Sequence, residues 1–115
     1  MKHSYPELNQ RILEMSEGDE EFQMELTNAI YNGLLEVQLK YQDGLKTKNE
    51  ISIQQIRHKI KPTLSMFEFF DLSEELQNGK DIFESKGFCE EFALHCDSLD
   101  RKLEVAIQRV FQLIQ

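Results

Sequence analysis

His58 and Lys61 are the residues of this chain best suited to chemistry, and their spacing sets them on one side of a helix. Around them, Ile53, Ile56, Ile60, Leu64 and Phe67 recur at helical spacing as a single apolar stripe. At roughly 100° per residue, His58 falls about 160° from the centre of that stripe. Its imidazole is therefore expected to stand in water on a helix whose opposite face is buried. A histidine serving the core would sit on the stripe, and a metal ligand would want a second ligand one turn away. The neighbours on the His58 face are instead Lys61, Pro62 and Ser65. A neutral imidazole is a nucleophile, and an ammonium one turn along can offset negative charge on whatever it attacks. The pattern describes a nucleophilic histidine displayed to another protein.

Charge supports display. The 115 residues carry a formal net charge of −8, which argues against general nucleic-acid binding and for a self-repelling surface, with a monomer expected. Between Lys46 and Ser65 the sign reverses: Lys46, Lys48, Arg57, Lys59 and Lys61 face only Glu50. Taken alone, such a run is an ordinary solvated helix face. Around an exposed histidine it reads as a docking surface for an acidic partner, with Arg57, Lys59, Pro62 and Ser65 as its contact residues.

The other candidates for chemistry are weaker. His95 lies at the edge of an apolar stripe beside Cys96, which suits a partly buried structural role. Glu91 and His95 are four apart, whereas diiron bundles use a Glu-x-x-His pair three apart, and no second pair exists. No metal site and no cofactor is expected. The acidic pairs Glu20-Glu21, Glu74-Glu75 and Glu90-Glu91 read as helix-start charges that favour the macrodipole. Cys89 and Cys96 read as reduced, partly buried thiols. His3 sits near the terminus. No apolar run follows Met1, so no signal peptide is expected; nor does any later stretch approach a membrane span, and the expected compartment is the cytoplasm.

The elements that must position His58 read as five helices and no strands, in one domain over 1–115. A short helix over Tyr5–Met15 has Leu8, Ile12 and Met15 as its apolar edge, with Pro6 in its first turn. It forms an N-terminal arm, 1–15, on a bundle spanning 16–115. Ser16-Glu17-Gly18-Asp19 supplies a break and a cap. The longest helix runs from about Asp19 to Lys46, with Phe22, Leu26, Ile30, Leu34, Val37 and Tyr41 facing inward and Gly44 as a fraying end. Asn49 caps the His58 helix, which is expected to continue through Pro62, kinked, to about Phe69, because the stripe stays in phase. Asp71 and Glu74 have capping-box spacing for a fourth helix, with Leu72, Leu76 and Phe83 inward and Gly87 as its stop. Phe88, Phe92, Cys96, Leu99, Leu103, Ala106, Val110 and Leu113 mark the last, Phe88–Ile114. Four long amphipathic helices with short loops bury their stripes best as an antiparallel up-down-up-down four-helix bundle, with the short first helix covering one end.

With those residues in view, the chain resembles a histidine-containing phosphotransfer (HPt) domain of two-component phosphorelays. That family's motif is a helix-borne His, a Lys three residues on, then a small residue or Pro, then Ser or Thr; His58, Lys61, Pro62 and Thr63 stand in those places. The Gly18-Asp19-Glu20-Glu21-Phe22 start of the long helix also resembles the family, and the likeness spans roughly 16–110. One departure is Glu68, about ten residues after the histidine, where many members have glycine for close packing.

The resemblance implies that His58 is a phosphoacceptor, taking a phosphoryl group from the aspartyl phosphate of a receiver domain and passing it to another receiver. Lys61 would stabilise the phosphoryl charge, and Mg²⁺ would be supplied by the receiver. The implied partners are response-regulator receiver domains and hybrid sensor histidine kinases. No Walker motif or kinase signature is present, so phosphorylation from ATP by the chain itself is not expected. The alternative is a helical adaptor that keeps the bundle and the docking face but carries no phosphate.

Overall fold

A computed structural model describes residues 7–114. It is all-helical, with five helices: α1 (Leu8–Ser16), α2 (Glu20–Thr47), α3 (Glu50–Met66), α4 (Phe70–Lys86) and α5 (Glu90–Ile114). Tyr5, Pro6 and His3 lie outside the described residues. None of the described helices is long and apolar enough to cross a membrane.

The connections before α2 and α3 are built from local capping chemistry. Asp19 precedes α2 in an extended conformation, and its Oδ1 accepts the Phe22 amide at 3.0 Å. Asn49 does the same for Ser52 at 3.1 Å, so only two residues separate α2 from α3. Lys48 turns left-handed (φ 57°) and lets the Asn49 amide reach the Gly44 carbonyl at 2.8 Å, which ends α2. Gly44 is no fraying end: it is buried, and a Cβ there would meet the Ile53 side chain. Removing that Cβ brings the start of α3 close to α2.

Two further expectations are corrected. The helix bearing His58 ends at Met66, not Phe69, and the Asp71–Glu74 capping box does not form. The α4 helix begins earlier, with Phe69 at its N-cap, and Asp71 Oδ1 accepts the Leu72 amide at 2.9 Å. The reason is burial: Phe67 and Phe69 are both in the core, so the turn between α3 and α4 is drawn inward by two rings. The tight turn leaves Glu68 left-handed (φ 61°). That conformation costs a non-glycine residue about 1 kcal/mol and explains why glycine would suit the position. The reason is backbone conformation; the Glu68 side chain itself is half-buried and pairs with Arg11 at 3.2 Å.

The helix α2 packs against α3 and α5, α4 packs against α3 and α5, and α1 lies on α2. Ile30, Leu34, Val37, Ile53, Ile56, Ile60, Leu64, Leu72, Leu76, Phe92, Leu99, Leu103, Ala106 and Val110 form one continuous core, joined by Leu8 and Ile12 of α1. Arg11 Nε donates to the Met66 carbonyl at 3.0 Å, so α1 satisfies an orphan group at the end of α3. Met15 and Phe22, expected on inward faces, are exposed. Both flank the α1–α2 turn.

Candidate functional site

Helix α3 runs without interruption through Pro62. Proline has no amide to give the His58 carbonyl, yet Ile60 and Leu64 on either side are buried and hold the segment to the core. The His58 side chain is exposed, as are Lys59, Lys61, Pro62 and Ser65, while Arg57 and Thr63 are half-buried. Among the described residues, neither His58 nor Lys61 has a hydrogen-bonding or ion-pair partner.

His58 opens into a groove of about 970 Å³ between α3 and α4. Gln54, His58, Lys61 and Ser65 form one bank and Phe70, Ser73, Gln77, Lys80 and Glu84 the other, with Leu64 and Leu76 also lining it. Arg57 and Lys59 border the groove too; Pro62 does not. The groove therefore holds four cations, Arg57, Lys59, Lys61 and Lys80, against Glu84. The basic run of the sequence is split by the fold. Lys46 and Lys48 do not line the groove, and the Lys48 ammonium lies 5.3 Å from the Phe88 ring centre. Lys59 is tied to Glu36 of α2 at 3.0 Å. Lys80, which the sequence gives no reason to single out, joins from α4.

Behind the groove lies a polar cluster that sequence reasoning missed. Glu75 is 6 % exposed and is no helix-start charge. Its Oε2 accepts from His95 Nδ1 at 2.7 Å, and its Oε1 accepts from Ser98 Oγ and Lys102 Nζ, each at 2.8 Å. Tyr41 Oη lies 2.9 Å from His95 Nε2. A carboxylate can only accept, so His95 carries its proton on Nδ1 and the Tyr41 hydroxyl donates to Nε2. Burial alone would raise the Glu75 carboxyl, but the donors Lys102, His95 and Ser98 outweigh it and bring it down to about 2. Burial lowers the His95 pKa, against the pull of Glu75, and so favours the neutral ring. Burial also raises the Tyr41 phenol, while the neighbouring Arg57 guanidinium opposes that rise. Arg57 thus reaches from the groove toward the buried cluster and is not a simple rim charge. Gly79 makes room for the cluster: a Cβ there would overlap the His95 ring. A glycine inside a helix, four residues after a glutamate, was the one signal in the sequence for this close approach.

The cysteines are free thiols, and burial pushes Cys96 up to about 12, which makes it a poor nucleophile. No cluster of three or more metal-ligating side chains occurs among the described residues. No family model, curated protein or solved structure matches this chain.

Proposed function

We propose that this chain is a phosphoryl carrier of the histidine-phosphotransfer type, an antiparallel four-helix bundle whose His58 accepts a phosphoryl group from an acyl phosphate and passes it on. The observation that carries the reading is an exposed imidazole without a partner among the described residues, on the bank of a groove dominated by cations. The cycle of packing from α2 to α3, α4, α5 and back to α2, closed by two- and three-residue turns, supports the bundle.

In the transfer step one ring nitrogen of His58 attacks phosphorus. The N–P bond forms as the P–O bond to the acyl oxygen breaks, the bonding pair leaves with the carboxylate, and the other ring nitrogen loses its proton to solvent. Lys61, one turn away and without an acidic partner among the described residues, offsets charge on the phosphoryl oxygens. The reading assigns the donor aspartate and its Mg²⁺ to a receiver domain docked over the groove. Phe70, 63 % exposed at one end of the groove, offers that partner an apolar contact.

The test is incubation with a phosphorylated receiver domain. Label is expected on the wild type, acid-labile and base-stable, and not on His58→Gln. Label retained in His58→Gln would refute the assignment. Receiver binding without labelling of the wild type would favour the adaptor reading, in which the groove docks a partner but carries no phosphate.

A further inference from the structure

The groove has two banks, and the cations on them are not equivalent. Lys59 is spent on Glu36, and Arg57 is half-buried and reaches toward Tyr41. Lys61 on α3 and Lys80 on α4 have no acidic partner within ion-pair distance among the described residues. What sets these two apart is place: both border the groove into which His58 opens. Glu84 is one turn beyond Lys80 on the same bank but forms no ion pair with it.

Height along the helices brings Lys80 to the histidine. Helices joined by three residues and packed on each other return side by side. His58 stands nine residues before Phe67 and Lys80 eleven after Phe69, which at 1.5 Å per residue gives heights of about 14 and about 17 Å from the turn. Lys61 stands about 9 Å up on the opposite bank. The groove-lining positions recur at helical spacing on both helices, 54, 58, 61 and 65 facing 70, 73, 77, 80 and 84. Gln77, the other polar group at this height, donates to Asp81 at 3.0 Å. Lys80 is the cation that α4 presents at the level of His58.

We infer that Lys80 is a second phosphoryl-binding residue, so that Lys61 and Lys80 hold the anion from opposite banks while it is attached to, or arriving at, His58. This rests on the phosphoryl-carrier reading and adds to it a contribution from α4. The ligand chemistry is a tetrahedral phosphoryl dianion, free or covalently held. Two ammonium groups on separate helices meet it from different directions, which a single lysine cannot do.

Two measurements on the full chain test this and separate it from the reading beneath it. The first uses phosphoramidate, which gives up ammonia as its P–N bond breaks and the new bond to His58 forms. Lys80→Gln is expected to label about tenfold more slowly than wild type, the loss of about one charge-assisted contact. Lys80→Arg should recover most of the rate, and Lys40→Gln, an exposed lysine away from the groove, should match wild type. The second is a titration with inorganic phosphate in the His58→Gln background, followed by amide shifts over 54–65 and 73–84. Shifts on both banks are expected, with an apparent Kd raised about fivefold when Lys80→Gln is added. Wild-type labelling and phosphate binding in Lys80→Gln would overturn the role of Lys80 and leave His58 and Lys61 standing. Phosphate shifts that depend on Lys80, with no labelling of wild type, would keep the anion site and sink the carrier reading. A titration that moves neither bank would overturn the site.

Discussion

His58 on α3 and His95 on α5 are the same side chain in opposite surroundings. The His95 ring is fully buried, with a carboxylate on one nitrogen, a phenol on the other and Gly79 packed against it. His58 stands in solvent with neither nitrogen engaged among the described residues. The difference teaches how one fold can hold one imidazole inside its core and leave another open to a partner. A ring whose nitrogens are both hydrogen-bonded inside the core has no free lone pair and cannot approach a partner, whereas an unengaged ring at a groove can do both. Their neighbours follow the same division. Lys102 is consumed by Glu75, while Lys61 has no acidic partner among the described residues.

The largest effect that could break this contrast is a pair of single substitutions. His58→Gln should abolish labelling while moving stability by no more than about 0.5 kcal/mol. Glu75→Gln should do the reverse. The amide keeps one acceptor oxygen, so it leaves either the buried His95 Nδ1–H or Ser98 and the partly exposed Lys102 facing an NH2 group, and should cost about 2 kcal/mol by denaturant unfolding. The folded fraction should still be labelled. Comparable melting temperatures for Glu75→Gln and wild type would mean that the buried cluster contributes nothing.

Acid should reveal the cluster next. The unfolded chain takes up protons at His95 near pH 6.5 and at Glu75 near 4.5, while in the folded protein His95 is held lower and Glu75 near 2. Both folded-state values are depressed, so both contributions are present at neutral pH and are lost as pH falls. Stability should begin to drop below about pH 6.5 and fall further between about pH 4.5 and about pH 2, the Glu75 part by about 3 kcal/mol. Stability rising on acidification would reverse the assignment of a neutral His95 and an ionised Glu75. Glu75→Gln should remove the lower part of the slope.

A smaller effect sharpens the reactive side. Lys61→Ala should slow transfer by about tenfold with the melting curve unmoved, since it removes charge compensation and no core contact. An unchanged rate at saturating receiver would leave Lys61 as a solvated charge. The smallest effect concerns the turn below the groove. Glu68→Gly relieves a left-handed residue but gives up the half-buried Arg11 pair, so it should stabilise by at most about 1 kcal/mol. Clear destabilisation would show that the Arg11 bridge, and not the backbone, governs this turn.

The correspondence between sequence and structure is uneven in an instructive way. Ile53, Ile56, Ile60 and Leu64 are buried where the stripe predicts, and His58, Lys61 and Ser65 are exposed opposite them. Asp19 and Asn49 cap the helices they precede. Periodicity failed at Met15 and Phe22, which flank the α1–α2 turn and are exposed although the pattern continues through them. It also misread Glu75, because a glutamate near the start of a helix is usually a favourable surface charge, and its partners lie twenty or more residues away.

Which stretches form helices, the caps of α2 and α3 at Asp19 and Asn49, and which way His58 faces were settled by the sequence itself. Those properties depend on backbone geometry repeating every 3.6 residues and on side chains reaching three residues ahead. Whether the opposite face of a helix would be covered, which lysines would find acids, and which cation would stand across from His58 were decided only when α2, α4 and α5 packed. Those outcomes turn on distances between residues far apart in the chain. Glu75 could meet His95 only because Gly79 left room for the ring, and Lys80 could reach the level of His58 only because three residues suffice to turn α3 into α4.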